Sequence, residues 1–177
     1  MKRAIWSRVY LDEKNRELAE LFYECVSDLT AHKMVKDLDN FSQHVGTSRL
    51  QHSINVAYYS FLICRKFGLD YRSAARAGIL HDLFLYDWRK VSKSVRVHIY
   101  EHPKAALENA HKITELNEKE TDAILTHMWP MTPAAPKFRE SYIVSLVDTF
   151  CAMAEVLDRY RLRVFGLARS EKLAKEQ

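Results

Sequence analysis

Six side chains of the kinds that bind metals occur in order along this 177-residue chain: His52, the adjacent pair His81 and Asp82, His102, His127 and Asp148. The pair sits in the apolar stretch Ala77-Gly78-Ile79-Leu80-His81-Asp82-Leu83. Asp148 sits in the longer apolar run Ile143-Val144-Ser145-Leu146-Val147-Asp148-Thr149-Phe150-Cys151-Ala152-Met153-Ala154. A carboxylate among core residues loses its hydration, which a cation or several donors must replace. Imidazoles and carboxylates gathered from separate helices could do so by holding a divalent metal. Four imidazoles and two carboxylates suit iron, manganese, zinc, cobalt or nickel, whereas calcium and magnesium prefer more oxygen. One ion could take His52, His81, Asp82 and Asp148, and a second His102 and His127, with Asp82 bridging both. Two ions about 3.5–4 Å apart would polarise a phosphoryl oxygen and lower the pKa of a bridging water towards neutrality, making the resulting hydroxide a nucleophile.

Taken singly, each histidine reads more plainly as a hydrogen-bonded or surface residue, and His32, His44, His98 and His111 are left in that class. His98 and His102 are four apart, as on one helix face. Pro103 disfavours α geometry for the residue before it, so His102 is preferred and His98 is its substitute. The dipeptide His81-Asp82 alone is weak evidence; with Asp148 in an apolar helix it becomes much stronger.

Arg49 precedes His52 by three residues, so both share a helix face and a guanidinium could hold phosphate beside the metal. A surface ion pair is the plainer alternative. Arg89, Lys90, Lys93 and Arg96 could frame a pocket mouth or form a solvated loop, and Lys137 and Arg139 have the same standing. Trp88, Trp129 and Met131 could wall a pocket, although aromatic residues at helix ends are usually packing. Gln43 and His44 could support the ligands from behind.

These groups need a scaffold, and the periodicity predicts helices. Leu18, Leu21, Phe22, Cys25, Val26 and Leu29 mark an amphipathic helix over 14–38. A second starts at Thr47 or Ser48 and ends at Gly68; a third, capped by Asp70, runs to Leu83 with the His-Asp pair on its last turn. The segment 84–101 has no clear period, and Pro103 opens a short helix over 103–111. Asn117 with Glu120 resembles a capping box, opening a helix that carries His127 near its end. After the extended loop of Pro130, Pro133 and Pro136, a last helix covers 138–163. No strand or repeat stands out, and few glycines and prolines suit long helices. The expected fold is a compact all-α bundle in one domain over 1–177, with a core at about 41–158 and a basic tail at 159–177.

That tail holds six Arg or Lys against two Glu, so it carries all of the chain's net +4. A basic tail can meet an anionic partner, but a solvated helix end is the plainer reading, and no nucleic-acid partner is expected. Cys25, Cys64 and Cys151 fall on apolar stripes as small buried hydrophobes of a reducing compartment. With no signal core and no membrane-length apolar run, the protein reads as cytoplasmic, with no membrane partner. A homo-oligomer is left open.

The order His…His-Asp…Asp, with His52 in Arg49-Leu50-Gln51-His52-Ser53-Ile54-Asn55-Val56-Ala57, resembles the HD-domain superfamily of metal-dependent phosphohydrolases over roughly residues 41–158. The resemblance implies an HD-domain helical bundle with His52, His81, Asp82 and Asp148 as primary ligands. His102 and His127 resemble the further histidines of its two-metal branch. The chain lacks the Gly-Tyr-Pro loop and paired histidines of the cyclic-di-nucleotide branch. Through His81-Asp82-Leu83-Phe84-Leu85-Tyr86-Asp87-Trp88 and His127-Met128-Trp129-Pro130 it also looks like a group of bacterial single-domain HD proteins. The implied activity is hydrolysis of a small phosphorylated molecule, with a nucleotide as first choice and with Asp82 and Arg49 as the catalytic residues. Two alternatives remain: a mixed-valent di-iron oxygenase, because the six-ligand pattern resembles that of inositol oxygenase, and a non-catalytic metal-stabilised binding module.

Overall fold

The computed structural model describes Ala4 and residues 16–44, 46–91 and 94–175, with side chains placed for all of these except His44, Trp88, Arg159 and 161–175. Lys93 and residues 14 and 15 therefore lie outside the described residues, as do all the charged side chains of the basic tail. The chain belongs to the all-α class that the periodicity predicts, with eight helices among the described residues.

Helix α1 (Arg16–Ala31) buries Phe22, Cys25, Val26 and Leu29. It stops well short of the expected residue 38. His32 turns extended, and its ring accepts the Met34 amide, capping a new short helix α2 (Lys33–Lys36) that leads into a 3-10 turn at Asp37–Asn40. Val35 and Leu38 stay buried, so the apolar period outlasts the helix that it marks. A two-stranded hairpin follows, β1 (Ser42–His44) against β2 (Thr47–Ser48), turned at Gly46 with a φ of 83°. The sequence reading found no strand here, and five residues are too few to display a period of two.

Helix α3 (Arg49–Lys66) is capped by Ser48, whose hydroxyl oxygen accepts the Gln51 amide at 3.2 Å, and it ends at Gly68, with a φ of 66°. Helix α4 (Tyr71–Leu80) opens on Asp70, which accepts the Ser73 amide, and it stops one residue before His81 rather than at Leu83. These two helices cross closely. A Cβ built on Gly78 would lie 2.5 Å from the Ala57 Cα, so glycine is what lets α4 bring His81 against α3.

The largest departure lies beyond. After α5 (Trp88–Val91), helix α6 runs over Val95–His111, with Ser94 as N-cap and Pro103 in its interior. His102 is therefore mid-helix, one turn after His98, instead of preceding a helix start. Proline at 103 removes one amide donor and crowds a carbonyl, but the helix continues around it. Helix α7 (Glu118–Thr126) has the expected capping box between Asn117 and Glu120, and α8 (Arg139–Lys175) is longer at its end than expected. Helices α3 and α4 form the central pair, with one apolar cluster towards α1 and another towards α8. Cys25, Cys64 and Cys151 are buried thiols within these clusters.

Arg76, from the small-residue run of α4, ties the bundle together. Its guanidinium meets Glu120 of α7 at 3.0 Å, Asp28 of α1 at 2.8 Å and the Thr114 hydroxyl at 2.9 Å. Removing a buried partner strands the opposite charge. We expect Arg76→Ala to lower unfolding stability in urea by about 3–5 kcal/mol, and Glu120→Gln in the same chain to recover part of the loss.

Lys119 of α7 joins Asp70 at the start of α4 to Glu140 at the start of α8, at 3.6 and 2.7 Å. Burial opposes ionisation of both carboxyls. The Ser73 amide and hydroxyl, with Lys119, hold Asp70 below the usual carboxylate range, and Lys119 with the Asp70 amide does the same for Glu140. Depressed carboxyls stabilise the fold above their unfolded values, and the contribution disappears as pH falls through the folded ones. The stability gap between the wild-type protein and Lys119→Ala should therefore be full at pH 7 and narrow as pH drops below about 4, read from urea midpoints across pH.

Candidate metal centre

Five helices deliver the six residues. His52 stands one turn into α3, His81 and Asp82 just past the end of α4, His102 midway along α6, His127 at the C-terminal cap of α7, and Asp148 on the inner face of α8. They gather in two groups of three, within each of which one ligand atom per residue lies within 4.8 Å of the others. In the first, Asp148 Oδ1 is 2.7 Å from His52 Nε2 and 3.7 Å from His81 Nε2. In the second, Asp82 Oδ1 is 3.4 Å from His102 Nε2 and 3.8 Å from His127 Nε2, and the two ring nitrogens are 2.8 Å apart. Asp82 links the groups, because its Oδ2 lies 3.6 Å from His81 Nε2. The sequence placed Asp82 with His52, His81 and Asp148 and also as the bridge to the second group. Its carboxylate turns one oxygen to each group.

Local backbone fixes the ring orientations. The Nδ1 atoms of His81, His102 and His127 meet the carbonyls of Gly78, His98 and Ile124 at 2.8–2.9 Å. A carbonyl only accepts, so each Nδ1 carries the proton and each neutral ring turns an Nε2 lone pair inward. His81 Nε2 and Asp82 Oδ1 are buried with no hydrogen-bond partner, and the His102 and His127 lone pairs oppose each other. Orphaned acceptors and facing lone pairs in a dry interior are what a cation satisfies, so this donor set fits one or two divalent transition ions.

The electrostatics agree. Burial alone would discharge His52, but hydrogen bonds and charges from Asp148 and Glu155 outweigh it and raise the ring to about 10. Burial likewise opposes charge on Asp82 and Asp148. The rings of His81, His102 and His127 that face Asp82 keep it well below the usual carboxylate range, and those of His52 and His81 do the same for Asp148. Burial, with too little compensation from Asp82, pushes His102 down to about 3.

Other groups stand behind the ligands. Arg49 is fully buried: its Nε donates to Gln43 Oε1 at 2.9 Å, its other nitrogens to the Phe84 and Tyr86 carbonyls, and its Cζ lies 3.5 Å from the Phe84 ring centroid. Desolvation lowers it to about 10, still protonated at neutral pH. Gln43 Nε2 in turn donates to Asp82 Oδ2. The face of Arg49 expected to meet phosphate is thus turned to protein. Of the basic run, Arg89 reaches the Gln43 carbonyl at 3.1 Å, and Lys90 and Arg96 are exposed, as are Lys137 and Arg139. Trp129 packs edge-on against Tyr142, Met131 is exposed, and the side chains of Trp88 and His44 lie outside the described residues.

The sequence reading missed Glu155. It is buried on α8, seven residues after Asp148 and on the same face, and its Oε1 accepts from His52 Nδ1 at 3.0 Å and Asn55 Nδ2 at 2.7 Å. Such a carboxylate fixes the ring and raises its basicity as a ligand. Replacing it with an isosteric amide should keep the fold and weaken one ion: we expect Glu155→Gln to lower affinity at the His52 site by about 10–100-fold in metal titrations, with unchanged helicity.

Residues 49–153 match the family model described as HD domain. No solved structure matches the chain significantly.

Proposed function

We propose that this chain, which belongs to the HD-domain superfamily of metal-dependent phosphohydrolases, hydrolyses a phosphoester or phosphoanhydride bond in a small molecule of the nucleotide class. The observation that carries the reading is Asp82, one oxygen turned to each of two groups of imidazole and carboxylate donors. Held there, divalent ions would supply Lewis acidity and a hydroxide at neutral pH. His52, His81 and Asp148 would hold one ion, His102 and His127 the other, and Asp82 both.

The protein's own groups set the geometry. Asp82 orients the attacking water, and Gln43 fixes the rotation of its carboxylate. Arg49 acts in this reading as a positioning residue: it holds Gln43 and the chain at Phe84 and Tyr86 so that the carboxylate stays turned between the two groups. Glu155 keeps the His52 ring aimed at Asp148. Three protein-bonded nitrogens on a buried Arg49 leave it no open face for substrate.

The test is phosphate release from a panel of nucleoside mono-, di- and triphosphates by purified protein supplied with manganese, cobalt, iron, nickel or zinc. We expect metal-dependent turnover that persists anaerobically with manganese or zinc, which separates hydrolysis from di-iron oxygenation. Metal analysis should show His102→Ala and His52→Ala each losing about one equivalent while retaining the other ion. Inactivity across the panel with metal verified as bound would overturn the hydrolytic reading.

A further inference from the structure

Helix α8 is apolar on two sides. Its inner side buries Val144, Val147, Cys151 and Ala154 beside Asp148 and Glu155. On the other side Leu146, Phe150, Met153, Leu157 and Tyr160 are 45–68% exposed, at steps of four, three, four and three, with Phe150 also meeting the Tyr59 ring edge-on at 6.0 Å. That spacing is the a/d seam of a coiled coil, which a partner helix fills knob into hole. In the sequence it continues through Val164 and Leu167. An apolar stripe along a helix ordinarily faces a packing partner. The 37 residues of α8 span about 55 Å, whereas a compact domain of this length, with a radius of gyration of about 16 Å, is about 40 Å across, so the helix is longer than the body it packs on.

We propose that this face pairs, antiparallel, with the same face of a second copy of the chain. Five half-exposed large side chains offer on the order of 100 Å² each. With Val156, 49% exposed alongside, the described side chains offer roughly 600 Å² per partner, within the range of a specific two-sided interface. A two-fold pair needs a self-complementary patch, which an apolar stripe on one helix supplies. Charge selects the orientation. Residues 159–177 carry six basic and two acidic side chains, a net +4, so parallel pairing would set two such tails side by side. Antiparallel pairing separates them and lays each along the other copy, whose remaining 158 residues are neutral overall.

Sedimentation of the full chain should give a species of twice 20.7 kDa. Met153→Glu with Leu157→Glu should convert it to monomer at unchanged helicity and metal content. Tyr160→Glu, at a position too exposed to affect the core, should alone raise the dissociation constant about 30-fold or more. The native thiols are buried, so a nitroxide placed by Arg169→Cys labels one site. Pairing centred near residue 155 puts the two labels about 40 Å apart, whereas parallel pairing puts them within about 20 Å. A wild-type chain monomeric at high concentration, a dimer that survives both sets of substitutions, or the short label distance would each overturn the proposal.

Discussion

Five ligands buried beside a sixth on the inner face of α8 create a problem that the rest of the structure answers. Four ring nitrogens and two carboxylates turned towards one another repel, and an apolar interior offers no water to relieve them. Positive charge has to come from somewhere. His52 takes a proton between Asp148 and Glu155, but His102 is pushed too low to follow, and His81 Nε2 and Asp82 Oδ1 have nothing to bond. A centre arranged in this way favours a cation and holds its shape for one. The rigidity needed is considerable, and it explains why α3 and α4 approach closely enough at Gly78 to exclude a methyl group.

The fold aims the ligands by two devices that differ in reach. At His81, His102 and His127 a carbonyl three or four residues back in the same helix fixes the ring, so a single turn sets both tautomer and direction. His52 lies in the first turn of its helix. Its aim comes from Glu155, which is 103 residues away in the chain. Ser145 adds a further constraint, its hydroxyl lying 2.8 Å from the His127 carbonyl and 2.6 Å from that of Trp129, so that α8 carries Asp148 and also steadies the turn that presents His127.

What could be read from the sequence follows this division. Asp148 and the His81-Asp82 pair stood out because polar residues interrupted apolar runs, and the capping residues Ser48, Asp70 and Asn117 were legible because caps are local. Glu155 has the same signal, seven residues beyond Asp148, but neighbouring Asp158 and Arg159 make that stretch look like a solvated face. Arg76 hides in a run of alanines, where nothing local says that three side chains and a carbonyl from other elements will surround it. The start of α6 was missed because Val95 and Val97 are exposed and supply no period, and because Pro103 looked like a beginning. Arg49 illustrates the limit most directly. Its spacing from His52 put it on the helix face of that ligand, yet only the hairpin, too short to announce itself, supplies the Gln43 that accepts from its guanidinium.

Formal charge gives that buried arginine a further meaning. Asp82, Asp148 and Glu155 contribute −3 around the centre and Arg49 contributes +1, leaving −2 when the histidines are neutral ligands. A single divalent ion would neutralise the site and leave little attraction for an anion. Two would carry it to +2 before any hydroxide is counted and to +1 with one bound, still attractive to a phosphate in a region whose low dielectric strengthens that attraction. Without Arg49 the same pair of ions would leave each value one unit lower. If the substrate is phosphorylated, as proposed, the guanidinium would favour it without touching it, through the charge that it adds behind Gln43 and Asp82, which is consistent with each of its three nitrogens being bonded to protein.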